Sequence, residues 1–281
     1  MDDGQRSTRQ LSISNIAWPA DQDAQALELV AKLGFDGVEV APRKIFGDLH
    51  AVSLDTVQAY RRRLQDAGLA ASALQAILFG VEGAHLFESP SSRDRMAAHL
   101  RRVAEIADAL GARACVFGSP ILRDPGSIPL DEASEIAETF LRVIAPDFAN
   151  RNITLCFEAN PPLYKCRFVT RTEEAYSLVE RVAVPGVAMQ LDTGTMFING
   201  EDPDIIRRTE CQIRHFHVSE PNLAPLGTSG VDHTPLASAV KTSNYPHWLS
   251  IEMRAVDDWR GAIQQAYTLV KSLYYDVSGT E

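Results

Sequence analysis

The chain contains no long apolar run; nothing approaches the roughly 18 consecutive apolar residues of a membrane span. No membrane partner is expected. The first ten residues, MDDGQRSTRQ, lack the apolar segment of a secretory leader, so the expected location is cytoplasmic. Positive charge is also scarce: 27 Lys and Arg stand against 37 Asp and Glu, a formal net charge of −10. A surface that acidic repels nucleic acid and anionic lipid, and no nucleic-acid partner is expected. The densest basic run, Arg61-Arg62-Arg63, lies between Tyr60 and Leu64 in a helical pattern and reads as a solvated helix face. Cysteine is sparse, with four residues at 115, 156, 166 and 211 and no CxxC pair. Cys115 and Cys156 fall inside apolar runs, where Cys acts as a small hydrophobe, so neither a disulfide framework nor a zinc–thiolate site is expected. Linkers and low-complexity segments are missing too. One domain over residues 1–281 is expected, with polar tails at about 1–9 and 276–281.

What is present is an alternation. Apolar runs at 11–16, 37–40, 70–77, 112–117, 153–157, 187–191, 213–218 and 248–251 are separated by segments of helical periodicity. Ala26, Leu29, Val30 and Leu33 mark one such helix, and Met96, Leu100, Val103, Ala107 and Leu110 another. Thr170 and Glu173 have the spacing of a capping box, and Asp202-Pro203 reads as an N-cap with proline at the first helical position. Eight strand–helix pairs in 281 residues imply an α/β fold, a single (β/α)8 TIM barrel. A doubly wound open sheet would place a glycine-rich turn after the first strand. Here the first run leads into Asn15-Ile16-Ala17-Trp18-Pro19, without glycine.

In such a barrel the active site lies at the C-terminal ends of the strands. Strands five to eight end in Glu158, Asp192, His217 and Glu252, successively 34, 25 and 35 residues apart, about one strand–helix unit each. One polar strand end means little. Four in a row, all metal-ligand types, point to a shared site. Three converging carboxylates repel each other, and one divalent ion removes that repulsion. Oxygen ligands plus one imidazole suit Mn²⁺, Mg²⁺ or Co²⁺, and Zn²⁺ also fits. Other candidates at strand ends or nearby loops are Trp18, Glu39, Gln75, Arg123, Asn160, His233 and Arg254, each read as a substrate contact. His233 reads equally as a second metal ligand or a helix-start residue. His215 is expected to face away from the barrel interior.

The order Glu158, Leu191-Asp192-Thr193-Gly194, His217, Glu252 resembles the xylose-isomerase-like superfamily, and within it the sugar phosphate isomerase/epimerase family, which includes ketose 3-epimerases and inosose dehydratases. The resemblance runs from Ser14-Asn15-Ile16-Ala17-Trp18 to Ile251-Glu252-Met253. It implies a metal-dependent isomerase or epimerase of a sugar, keto-sugar or cyclitol. Glu158 and Glu252 would be the catalytic pair, removing and returning a proton beside a carbonyl through a metal-bound ene-diolate. Asp192 and His217 would mainly hold the metal. The alternative it implies is a keto-sugar or keto-cyclitol dehydratase using the same metal site. The superfamily's DNA-repair endonucleases need more histidine ligands and a basic groove, which seven histidines and a charge of −10 do not supply. A metal-free scaffold is the non-enzymatic alternative. A homodimer or homotetramer would be ordinary for such a barrel. Two positions depart from the ketose 3-epimerase pattern: Thr195 stands where those enzymes carry a histidine, and Leu223 where they carry an arginine.

Overall fold

Each apolar run becomes a parallel strand in the computed structural model, which describes residues 9–275. The strands are β1 (Leu11–Ser14), β2 (Gly37–Val40), β3 (Ala70–Leu74), β4 (Ala114–Phe117), β5 (Thr154–Glu158), β6 (Val187–Asp192), β7 (Ile213–Ser219) and β8 (Leu249–Glu252). They pair in sequence order, and β1 closes on β8 in parallel register to complete a barrel. The expected (β/α)8 architecture is therefore present. Among the described residues no helix is long and apolar enough to cross a membrane.

The helices form an outer layer because each carries one apolar stripe. The helix Pro90–Leu110 starts at a reciprocal capping box made by Ser89 and Ser92, and it buries Met96, Leu100, Val103, Ala107 and Leu110 against the strands. Complete burial of side chains such as Leu100 and Val103 contributes roughly 1.5–3 kcal/mol each. Inside the barrel the filling is unusually polar. Ser12, Ser14, Glu39, Ser72, Gln190, His215, His217 and Ser250 are all buried, where aliphatic layers are the commoner solution.

Local details differ from the sequence reading. The run at 11–16 stops as a strand at Ser14, whose side chain caps a short 3-10 turn at Asn15–Ala17. The helix expected to start with a Thr170–Glu173 box begins at Thr172 instead. Glu174 takes the reciprocal role and accepts the Thr170 N–H at 2.7 Å. Asp202 caps a turn rather than a helix, accepting the Asp204 N–H at 2.9 Å ahead of the helix Ile205–Thr209. Of the expected N-terminal tail, Arg9 is tied down by the carbonyls of Val240, Ser243 and Tyr245. The rest, and the C-terminal tail, lie outside the described residues.

Candidate metal centre

Glu158, Asp192 and Glu252 end β5, β6 and β8, while His217, expected at the end of its strand, lies two residues inside β7, which runs on to Ser219; the ligand-type atoms of all four lie within 4.8 Å of one another. Parallel register puts these ends side by side, with Asp192 opposite His217. His217 Nδ1 lies 3.1 Å from Glu252, 3.8 Å from Glu158 and 3.9 Å from Asp192. Nδ1 is buried and makes no aligned hydrogen bond. An orphaned imidazole nitrogen facing three carboxylates is a donor set that could hold a divalent cation, and these residues fit one.

The electrostatics agree. Burial first, then the charges of Glu252 and Asp192, push the Glu158 carboxyl up to about 8. Burial also raises Glu252, against the lowering effect of His217. Burial opposes a charge on His217, but Glu39 and Glu252 outweigh it and raise the imidazole well above its ordinary range. Without a cation, protons must balance the crowded carboxylates, and a bound metal would displace them.

Two glycines make room for these groups. A Cβ on Gly118 would sit 2.4 Å from Glu158 Oε2, and one on Gly194 would sit 2.8 Å from Ser219 Oγ and 3.2 Å from Asp192 Oδ1. Asp192 is fixed through both oxygens. Oδ1 accepts the Thr195 N–H at 2.6 Å as the cap of the short helix Thr193–Asn199, and Oδ2 accepts from Ser219 Oγ at 2.6 Å. Thr193 and Ser219 exchange two further bonds that lock β6 to β7.

Three of the four, Glu158, Asp192 and Glu252, line a cavity of about 460 Å³ together with Asn160, Tyr164, Thr195, Glu220, Asn222, Leu223 and Arg254; His217 lies beneath them, 3.1 Å from Glu252. Asn160 and Arg254, both expected substrate contacts, are thus on its wall. A larger groove of about 600 Å³ lies outside the barrel between the helices Pro90–Leu110 and Leu130–Ala149 and contains none of these residues.

Other expected substrate contacts lie elsewhere. Glu39 is wholly buried behind His217, with both carboxylate oxygens 3.0 Å from Nε2, and it also accepts from Ser250 Oγ at 2.6 Å. Burial would raise its pKa, but His217 and His215 hold it below the ordinary carboxylate range. Arg123 is buried too, and spends its guanidinium on the carbonyls of Gly118, Phe168 and Glu158 and on Asn160 Oδ1. It braces the Glu158 strand end. Trp18 is buried, and its indole N–H donates to Asp23 at 3.1 Å. Gln75 donates to Ser14 Oγ inside the barrel. His233 precedes the helix Thr234–Thr242, with Nδ1 2.8 Å from the Tyr274 hydroxyl.

His215 corrects an expectation. Residues two apart on a strand share a face, so His215 lies inside with His217, its Nε2 3.0 Å from Glu39 Oε1. Glu39, His215 and His217 thereby form a second cluster of ligand-type atoms, directly behind the first. Tyr164, Glu220 and Asn222 were not singled out from sequence. They sit in loops or 3-10 turns after β5 and β7, where no periodicity marks them; an aromatic six residues beyond Glu158 was the one available cue.

Similar folds are found among solved structures. D-psicose 3-epimerase with D-tagatose from Clostridium cellulolyticum H10 matches at a TM-score of 0.82 and 17% identity, covering 95% of this chain and 100% of that one. The 3-keto-D-glucoside 4-epimerase YcjR from E. coli matches at 0.77 and 16%, covering 94% and 99%. The IOLI protein, with a binding zinc atom, matches at 0.75 and 18%, covering 94% and 98%. No curated protein matches this chain by sequence. A sequence-family match does exist and spans residues 27–273, from the first helix through the last and across Glu158, Asp192, His217 and Glu252. The chain belongs to the xylose isomerase-like TIM barrel family.

Proposed function

We propose that this protein is a divalent-metal-dependent isomerase or epimerase of a sugar, keto-sugar or cyclitol, acting by proton transfer beside a carbonyl. The observation that carries the reading is the buried quartet of Glu158, Asp192, His217 and Glu252, with the orphaned Nδ1 of His217 facing the three carboxylates. Support also comes from similar folds described as sugar epimerases, one of them with D-tagatose, and from the zinc atom of the IOLI protein.

Asp192 and His217 would hold the ion, with Glu158 and Glu252 completing the set. A divalent ion there supplies Lewis acidity, polarising a carbonyl and acidifying the adjacent C–H. The chain's own part is to place the bases. One oxygen of Glu158 or Glu252 takes the proton as the C–H bond breaks and its electron pair moves toward the carbonyl oxygen. The other carboxyl returns a proton to carbon, on the opposite face for epimerisation. Glu158, with a carboxyl pushed up to about 8, can carry a proton near neutral pH before the ion binds. Arg123 and Gly118 keep Glu158 in place.

Incubating metal-loaded protein with a panel of ketoses and keto-cyclitols in D₂O tests this. Deuterium should appear on the carbon next to the carbonyl of the compound that is converted. Conversion without deuterium incorporation would refute the mechanism, and loss of water from the product would identify a dehydratase instead.

A further inference from the structure

The wall of the cavity is chemically divided. Its buried part holds the carboxylates of Glu158, Asp192 and Glu252, and its exposed part includes Asn222 and Arg254. Glu220 also lines the cavity, but its carboxylate is already engaged. It accepts the N–H groups of Gly227 and Ser229 and faces His233 at 3.4 Å. Among the described residues that line this cavity Arg254 is the one cation, on a wall whose acidic groups are otherwise accounted for. Its side chain makes a single hydrogen bond, from Nη1 to the Asn222 carbonyl at 2.9 Å, and forms no ion pair among the described residues. A guanidinium has five N–H groups in a planar fork, so most of its donors are uncommitted.

That arginine is not loosely placed. Asn222 and Leu223 are consecutive non-glycine residues in the left-handed region, at φ 61° and 53°, a conformation that persists only when its surroundings enforce it. Three clamps do so. The Asn222 N–H donates to the Tyr164 hydroxyl at 2.6 Å, the Arg254 N–H donates to the Leu223 carbonyl at 2.8 Å, and Arg254 Nη1 holds the Asn222 carbonyl. Arg254 and the strained turn thus fix each other on the cavity wall. The Tyr164 hydroxyl receives a bond there and keeps its own proton to donate.

From this division of the wall we infer that the substrate carries an anionic oxygen group, a carboxylate or a phosphate, remote from its hydroxy-carbonyl, and that Arg254 grips it. The inference rests on the function proposed above for the chemistry at the buried end. An arginine fork matches both anions through paired N–H···O bonds, and a neutral sugar hydroxyl gains much less from it.

The test is equilibrium binding, which does not depend on turnover. Mn²⁺-loaded protein is titrated calorimetrically with D-fructose, D-fructose 6-phosphate and 5-keto-D-gluconate. At least one anion should bind about ten-fold tighter than fructose at low salt, and the better of the two distinguishes phosphate from carboxylate. That advantage should shrink in 0.5 M NaCl, disappear in R254Q, and persist in part in R254K, with both variants unfolding at the wild-type temperature. Fructose binding as tightly as both anions, no binding of either anion, or an advantage that survives R254Q overturns the inference. Anion preference without deuterium exchange would remove the proposed chemistry and leave this site standing. Exchange without anion preference would do the reverse.

Discussion

Glu39 stands directly behind His217, with both of its carboxylate oxygens 3.0 Å from the imidazole Nε2. A carboxylate held below its ordinary pKa range can only accept, so Nε2 carries the proton and Nδ1 is the nitrogen turned toward Glu158, Asp192 and Glu252. The pair fixes both the tautomer and the orientation of the ring, as carboxylate partners commonly do for metal-bound histidines. Glu39→Gln should lower metal affinity about 10–100-fold while the barrel stays folded. Calorimetric titration with Mn²⁺ measures this, and unchanged affinity would show that Glu39 only fills space.

Metal affinity should rise with pH. In the metal-free protein, burial and the neighbouring carboxylates push Glu158 from an ordinary 4.5 up to about 8. Between those values the folded chain keeps a proton that the unfolded chain has released. Metal-free stability therefore falls as pH climbs through that window. A cation that replaces the proton removes the penalty, so the rise in melting temperature caused by Mn²⁺ should be larger at pH 8.5 than at pH 5.5. An equal rise at both pH values would contradict the Glu158 assignment.

Gly118→Ala is a sharp steric test. The added methyl would meet Glu158 Oε2 at 2.4 Å, so the carboxylate must move. Misplacing a reacting group by about an ångström costs on the order of 100-fold, and kcat/KM with a converted sugar should fall by about that factor while far-ultraviolet circular dichroism stays unchanged. Wild-type kinetics in this variant would mean that the observed position of Glu158 is not the working one.

Ser219→Ala removes a bond to Asp192 Oδ2 and a partner of the Gly194 N–H. Buried donors left unpaired cost about 1–3 kcal/mol. The variant should unfold at lower temperature and bind metal more weakly, both visible in melting curves recorded with and without Mn²⁺. A loss of stability with the same Mn²⁺-induced rise as in the wild type would show that Ser219 supports the fold and not the site.

The barrel was readable because its signal is repetitive, with eight apolar runs spaced by helical stripes. The quartet was readable because Glu158, Asp192, His217 and Glu252 each follow an apolar residue at or within two residues of a strand's C-terminal end, and those ends meet on one rim. Depth and orientation were less legible. Glu39 and Arg123 look like available polar groups in sequence, yet the fold buries both, one behind an imidazole and the other among carbonyls. His215 shares a face with His217, and period-two parity should have placed it there. Tyr164 and Asn222 belong to irregular loops, which carry no period, and their meeting at 2.6 Å depends on how two separate loops pack.

On the proposed function, Glu158, Asp192, His217 and Glu252 together hold one divalent ion. Elemental analysis of the purified, metal-loaded and desalted protein tests it most directly. About one Mn²⁺, Co²⁺ or Zn²⁺ per chain is expected, with near-complete loss of that ion in His217→Ala and Glu252→Gln variants that remain folded. Full metal retention in both variants, or no retained metal in the wild type, would contradict it.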